Sequence, residues 1–205
     1  MYKFSYFTEE DPGKILGFIR ENSFAVITGF GADYPVATHL PLEIETTEEG
    51  KLLFKGHLMK NTDHHKAFAN NENVLVVFNG PHTYVSASWY ESPQVASTWN
   101  YMAVHAEGKI SFTDDAGTLE AIRSITTKYE GTESAASFDR IPTDYINKML
   151  KAIVGFSIEV ENIDNVFKLS QNHGQANRQS ITTHLKEQGD AHAVAIAQEM
   201  NKHFQ

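Results

Sequence analysis

The sequence predicts an α+β protein, mainly β, in which an antiparallel sheet closes on itself and helices lie at its periphery. β-rich runs recur through the first three quarters of the chain, and short turn-like breaks separate many of them. Such connections join antiparallel neighbours, because a parallel crossover needs a dozen or more residues. Hydrophobic residues make up 41% of the chain and charged residues 21%, as in an average globular protein.

The predicted strands are rich in β-branched and aromatic residues. We interpret Gly29-Phe30-Gly31-Ala32-Asp33, Glu48-Glu49-Gly50 and Asn79-Gly80-Pro81 as turns between them. The predicted strands are Phe24–Thr28, Val36–Ile44, Lys51–His57, Val74–Phe78, Thr83–Ala87, Val95–Phe112, Val154–Ile163 and Val166–Leu169.

Helices are predicted where the apolar period lengthens and capping residues precede it. Thr8 as a hydroxyl cap and Pro12 in the first turn predict a helix that runs to about Asn22. Residues 61–70, 114–129 and 142–151 are further predicted helices, and residues 176–205 form a helical tail that is broken near Gly189, with Asp190 as a new cap. We expect a single domain over residues 1–205, with its core at about 1–172 and the tail at about 175–205.

Composition excludes several classes of function. The chain has no cysteine, which rules out disulfides, thiolate catalysis and iron–sulfur clusters. A net charge of -9, with Lys and Arg scattered, opposes direct nucleic-acid binding. The N-terminus shows no basic and apolar leader, and no window approaches the ~20 apolar residues of a membrane span. We therefore expect a cytoplasmic protein with no membrane partner.

The ten histidines do not predict a metal site. There is no His-Glu-x-x-His pattern, and His64 and His65 are adjacent, so on a helix they point ~100° apart. Ser86 and Ser88 lie near His82, but the Gly-x-Ser-x-Gly elbow is absent. The sequence therefore assigns no catalytic residue.

Several segments in a fixed order resemble the PaiB-type family of FMN-binding negative transcriptional regulators, from Tyr2 to about Leu185. The segments are Gly56-His57-Leu58-Met59-Lys60, Gly80-Pro81-His82-Thr83-Tyr84-Val85-Ser86, Ser88-Trp89-Tyr90, Thr98-Trp99-Asn100-Tyr101, Val104-His105-Ala106, Ile153-Val154-Gly155-Phe156 and Lys168-Leu169-Ser170-Gln171-Asn172. The resemblance implies a six-stranded split β-barrel related to pyridoxamine-phosphate oxidases, a homodimer, and FMN at the dimer interface.

Two segments depart from the family's pattern. A basic-Ala-Asn-Pro run commonly follows Gly-His-Leu, whereas this chain has Lys60-Asn61-Thr62-Asp63. Prolines are usual where this chain has Ala87 and Ser97. The first departure falls where the resemblance places the phosphate.

FMN requires partners for its phosphate, its ribityl chain and its ring. Lys60 and Thr62, between a strand and a helix, offer the phosphate an ammonium, a hydroxyl and backbone N–H groups, although they also suit a surface lysine and a helix cap. A late cation, Lys168, would stabilise negative charge on a reduced flavin, or would be an ordinary lysine at a strand end. The predicted cofactor-binding residues are Thr38, His39, Leu40, His57, Leu58, Lys60, Asn61, Thr62, Trp99, Asn100, Tyr101, Lys168, Ser170 and Gln171.

Three functions stay open at the level of sequence. The first is an FMN-dependent oxidoreductase that uses a small-molecule donor. The second is a transcriptional regulator or sensor that acts through a partner or a metabolite, since no helix-turn-helix pattern is present. The third is a haem-binding or haem-degrading protein with a histidine, such as His173, as axial ligand.

Overall fold

A computed structural model describes residue 1, residues 4–92 and residues 94–204. Tyr2, where the resemblance begins, and Gln205, where the predicted tail ends, lie outside the described residues. Within the described part of the chain, seven strands form one antiparallel sheet in the order β2-β1-β5-β6-β7-β4-β3. The strands are β1 Phe24–Gly29, β2 Val36–Pro41, β3 Glu43–Thr46, β4 Leu52–Met59, β5 Asn73–Val85, β6 Thr98–Phe112 and β7 Ile153–Lys168.

The sheet closes because its two edge strands are neighbours along the chain. Only Leu42 separates the end of β2 from the start of β3, so the sheet must curve until its edges meet. Leu42 is fully buried, and its N–H donates to the carbonyl of Ser23 at 2.9 Å. The predicted single strand Val36–Ile44 is therefore two strands, and the described sheet has seven strands instead of the six expected.

Six α-helices lie among the described residues, close to the predicted positions. They are α1 Pro12–Glu21, α2 Asp63–Asn70, α3 Asp115–Glu130, α4 Thr143–Ala152, α5 Gln175–Gln188 and α6 Ala191–His203. The predicted break in the tail is confirmed, since Gly189 is left-handed at φ 76° and Asp190 accepts from the N–H groups of His192 and Ala193. The cap predicted for α1 is wrong, because Asp11 accepts from Gly13 N–H at 2.8 Å while the Thr8 hydroxyl donates to Phe4.

Two predicted interruptions of the sheet are continuous strand. β5 runs through Asn79-Gly80-Pro81, where Gly80 leaves room for the ring of Phe18: a Cβ at residue 80 would lie 2.4 Å from that ring. β7 joins the two last predicted strands, and the Asn165 side chain bonds both the N–H and the carbonyl of Glu9. Turn-forming residues therefore remain in strand where tertiary contacts use their shape or polarity.

The chain divides into two compact units, and the prediction of a single domain stays a prediction. The barrel unit comprises residues 19–78 and 105–163. Phe54 and Phe78 meet edge to face in its core, with ring centroids 5.1 Å apart. The tail unit comprises residues 1–18, 79–104 and 164–205. Its core includes Phe18 against Phe167 at 5.1 Å, together with the buried faces of α5 and α6.

Candidate functional site

The corner between β4 and α2 in the barrel unit carries Lys60. Its backbone N–H donates to the Ala152 carbonyl at 2.8 Å, and its ammonium donates to the Leu150 carbonyl at 2.8 Å. These two bonds tie the corner to the end of α4, and the second holds the half-buried Lys60 side chain. The strand-to-helix position that we predicted for Lys60 is confirmed.

The two residues after Lys60 organise the start of α2. Asn61 is left-handed at φ 66°, and its N–H donates to Nδ1 of His65 at 3.2 Å. Burial, followed by the charges of His64, Lys60 and Lys66, lowers the pKa of His65 and favours its neutral ring. The Asn61 N–H then selects the tautomer in which Nδ1 is the acceptor. The Thr62 hydroxyl donates to Met59 and accepts from His65 N–H, so Thr62 is a helix N-cap whose hydrogen is already used.

Asp63 adds a negative charge at the same corner. It lies in the first turn of α2, where its carboxylate accepts from His64 N–H at 2.8 Å. That hydrogen bond lowers the pKa of Asp63 and keeps it ionised. A phosphate at this corner would gain from Lys60 and be opposed by Asp63.

The strand residues predicted near the cofactor differ in exposure. On β4, Leu58 is buried in the core, whereas His57 is half-buried and burial lowers its pKa. On β2, Thr38, His39 and Leu40 pair with Ile27, Val26 and Ala25 of β1. β2 stands at one end of the strand order, and His39 is exposed there.

The tail unit brings together the second group of predicted residues. Asn100 is fully buried and exchanges two hydrogen bonds with the Ser170 hydroxyl, at 2.9 and 3.1 Å. The Lys168 ammonium donates to the Trp99 carbonyl at 2.9 Å and to the Thr98 hydroxyl. Trp99 leaves 53% of its surface exposed, and Tyr101 is half-buried. Asn100 and Ser170 therefore fix the start of β6 against the end of β7.

Gln171 serves the backbone around it. Its side chain accepts from Leu169 N–H at 2.7 Å and donates to the Phe167 carbonyl, which shapes the turn after β7. Its role toward a cofactor stays a prediction, as do the cofactor roles of the other predicted residues.

Sequence reasoning did not find a stacked pair in the tail unit. The rings of Tyr90 and His173 stack with centroids 4.7 Å apart. Both residues line a cavity of about 260 Å³ with Lys168 and Ser170. The sequence carries no local signal for this pairing, because 83 positions separate the two rings along the chain.

Two further observations bear on ligands and surroundings. No group of three or more His, Asp or Glu side chains with metal-binding geometry occurs in the described ranges. Among the helices of residues 4–92 and 94–204, none combines the length and apolar character that crossing a bilayer requires.

Comparison with solved structures shows the fold. The flavocytochrome Anf3 from Azotobacter vinelandii matches with a TM-score of 0.62 and 13% identity, over 82% of this chain and 72% of that chain. The FAD and haem binding protein from Mycobacterium smegmatis matches with a TM-score of 0.60 and 14% identity, over 78% and 73%. At this identity the likeness concerns architecture, and it confirms the predicted split barrel.

Comparison with protein sequences shows the family. The family described as "Putative FMN-binding domain" matches residues 1–162. The protein named "Protease synthase and sporulation protein PAI 2" from Bacillus subtilis is 34% identical over 201 residues, which cover 98% of this chain and 96% of that protein. The family match includes both the β4–α2 corner and the start of β6, and the sequence likeness extends through the helical tail, so the chain belongs to the PaiB-type FMN-binding family.

Proposed function

We propose that this protein binds FMN and that Lys60 holds the phosphate. The observation that carries the proposal is the family match over residues 1–162, which contains Lys60 at the strand-to-helix corner. When bound, FMN supplies a ring that accepts and returns one or two electrons.

Lys60 is the group at this corner that could bind a phosphate. An ammonium has three N–H groups, and the described contacts use one of them on Leu150. The bond from the ammonium to Leu150 limits the motion of the side chain, which lowers the entropy lost when it binds an anion. Thr62 contributes a rigid corner instead of a donor, and Asp63 reduces the affinity.

Titration with FMN and with riboflavin, which lacks the phosphate, tests this assignment. Replacing a charge-assisted contact weakens binding by about 10- to 100-fold, so Lys60→Gln should weaken FMN binding by that factor and leave riboflavin binding unchanged. Asp63→Asn should tighten FMN binding alone. Lys66→Gln, on an exposed lysine of α2, is the control of equal charge change.

The result that would refute the assignment is equally definite. If the wild-type protein binds no FMN, or if Lys60→Gln weakens FMN and riboflavin equally, Lys60 does not hold the phosphate. Flavin fluorescence and the visible absorbance bands follow both titrations.

We also propose a homodimer formed by the barrel unit. Six large apolar side chains of this unit are exposed, and four of them lie in its first segment: Phe24 at 66%, Phe30 at 65%, Tyr34 at 82% and Met59 at 60%. Exposed apolar surface of this kind favours association with another protein surface. Light scattering should give twice the chain mass of 23.0 kDa, and a monomer at micromolar concentration would contradict the proposal.

An oxidoreductase activity is the further step of this proposal. FMN-loaded protein should oxidise a reduced nicotinamide in the presence of an electron acceptor. At the same FMN concentration, Lys60→Gln should bind less FMN, and its rate of nicotinamide oxidation should fall in proportion. A flavin that stays oxidised when the reduced nicotinamide is added without an acceptor would restrict the protein to binding. Transcriptional regulation and haem binding stay predictions.

A further inference from the structure

The cavity in the tail unit has the features of a site for a small anion. It has a volume of about 260 Å³ and lies where the start of β6 meets the end of β7 and the turn that follows. This volume is below the ~300–1,000 Å³ of pockets that hold drug-sized ligands. An occupant smaller than a nucleotide therefore fits it.

The charge of the lining contrasts with the charge of the chain. Lys168 is the cation of the cavity, and the described lining includes no Asp or Glu, although the chain has 26 acidic and 17 basic residues. His173 also lines the cavity, where burial and the charge of Lys168 lower its pKa and favour its neutral ring. A concave wall with one sign of charge raises the local concentration of ions of the opposite sign. The cavity is thus a positive site on a negative protein.

The cationic group is held in place by neighbours that cannot neutralise it. The Lys168 ammonium donates to the Thr98 hydroxyl and the Trp99 carbonyl, which are uncharged. Burial lowers the pKa of Lys168, because the charge has lost part of its hydration. An anion in the cavity would restore the lost stabilisation of that charge.

Two parts of the remaining lining are held in place by neighbouring side chains, and the lining carries further polar groups. The His173 ring is stacked on Tyr90, which is 7% exposed, and Ser170 is anchored by its two bonds to the buried Asn100. Ser170 is also left-handed at φ 64°, an uncommon conformation outside glycine that is held here by the surrounding contacts. Asn172 lines the same cavity. Lys168, Ser170 and His173 are already held by neighbours, so little ordering of these groups is needed on binding.

We propose that this cavity binds a small organic oxyanion, a carboxylate or a phosphate, with Lys168 as the ionic anchor and His173 and Asn172 as polar partners. The proposal assigns Lys168 to this ligand instead of to the flavin, and it holds whether or not FMN binds the protein. The aromatic wall of Tyr90 and His173 suits the flat body of an aromatic or conjugated carboxylate.

Calorimetric titration with three probes tests the proposal on the intact chain. Benzoate and inorganic phosphate represent the two sources of an oxyanion, and benzamide is a neutral analogue of benzoate. We expect at least one of the two anions to bind with a dissociation constant of about 1 mM or lower. If benzoate binds, benzamide should bind at least tenfold more weakly than benzoate, because it lacks the charge. Binding of benzoate alone identifies a carboxylate site, and binding of phosphate alone identifies a phosphate site.

Variants locate the bound anion. Lys168→Gln should weaken binding at least tenfold, whereas Lys186→Gln, an exposed lysine of α5 with the same change in charge, should not. Ala96→Phe is a second variant at an exposed residue of the cavity wall, where the larger ring should block entry without disturbing the core.

Three results would overturn the proposal: no anion binding at about 10 mM, equal losses in Lys168→Gln and Lys186→Gln, or unchanged binding in Ala96→Phe. Loss of FMN binding in Lys168→Gln with retained anion binding would also overturn it, since Lys168 would then serve the flavin. Circular dichroism of each variant shows whether it has folded.

Discussion

Replacing Gly80 with alanine should lower the free energy of unfolding, because the new methyl group would lie where the ring of Phe18 now packs. A Cβ at residue 80 would be 2.4 Å from Cε2 and 2.8 Å from Cζ of that ring, and 3.3 Å from the carbonyl oxygen of Met102. Phe18 is only 6% exposed, so its ring has little free space to move into. Overpacking of this kind costs about 1–3 kcal/mol.

A double-mutant cycle separates this clash from a general loss of strand stability. In Phe18→Leu the side chain is shorter, and adding Gly80→Ala to it should cost about 1–2 kcal/mol less than in the wild type. Gly17→Ala is the control, on α1 next to Phe18. A Cβ at residue 17 meets nothing within 4 Å, and alanine should stabilise α1 by about 0.5–1 kcal/mol.

Urea unfolding followed by tryptophan fluorescence gives these free energies. Strictly additive effects of Gly80→Ala and Phe18→Leu would refute the proposed contact. A Gly80→Ala variant within about 0.5 kcal/mol of the wild type would show that β5 adjusts freely at this point.

Two further predictions concern single groups. Burial lowers the pKa of His57 in the folded protein, so His57 binds a proton more readily in the unfolded chain. The free energy of unfolding should therefore fall as the pH drops below about 6.5 and level off below the pKa of His57 in the folded protein. His57→Gln should reduce this slope in denaturation at pH 7 to 5, and an unchanged slope would contradict it. Asp190→Ala removes the acceptor for two N–H groups of α6 and should lower the denaturation midpoint, whereas Asp190→Asn should retain most of it; equal midpoints would show that the cap adds nothing.

The helices were predictable because their signals are local. Gly189 and Asp190 end one tail helix and begin the next through their own backbone angle and side chain, and both appear in the sequence as such. The continuity of β5 was not predictable, because the reason for Gly80 lies in Phe18, which is distant along the chain. The division at Leu42 also depends on closure of the whole sheet, which no local pattern encodes.

In the candidate sites, too, local features were predictable and contacts between distant residues were not. The position of Lys60 between a strand and a helix followed from sequence, whereas its contacts with Leu150 and Ala152 depend on how β4 pairs with β7. The stacking of Tyr90 on His173 joins a loop to the turn after β7, and neither segment has a pattern that specifies the other. The sequence therefore identified Lys60 and Lys168, the cations of the two sites, but not the groups that hold them.

The departure from the family's basic-Ala-Asn-Pro run gives one more test of the phosphate site. Here Thr62 caps α2 and Asp63 places a carboxylate in its first turn, so the helix end is already satisfied and negatively charged. Asn at residue 62 still caps a helix, and Pro at residue 63 suits the first helical position because the N–H it lacks has no partner within the helix.

The double variant Thr62→Asn/Asp63→Pro should therefore keep α2 and remove the opposing charge, which leaves Lys60 and the helix dipole to act together on a phosphate. FMN affinity should rise, riboflavin affinity should not, and adding Lys60→Gln should abolish the gain. A gain that survives the loss of Lys60 would mean that the phosphate binds elsewhere, whatever the family relationship implies.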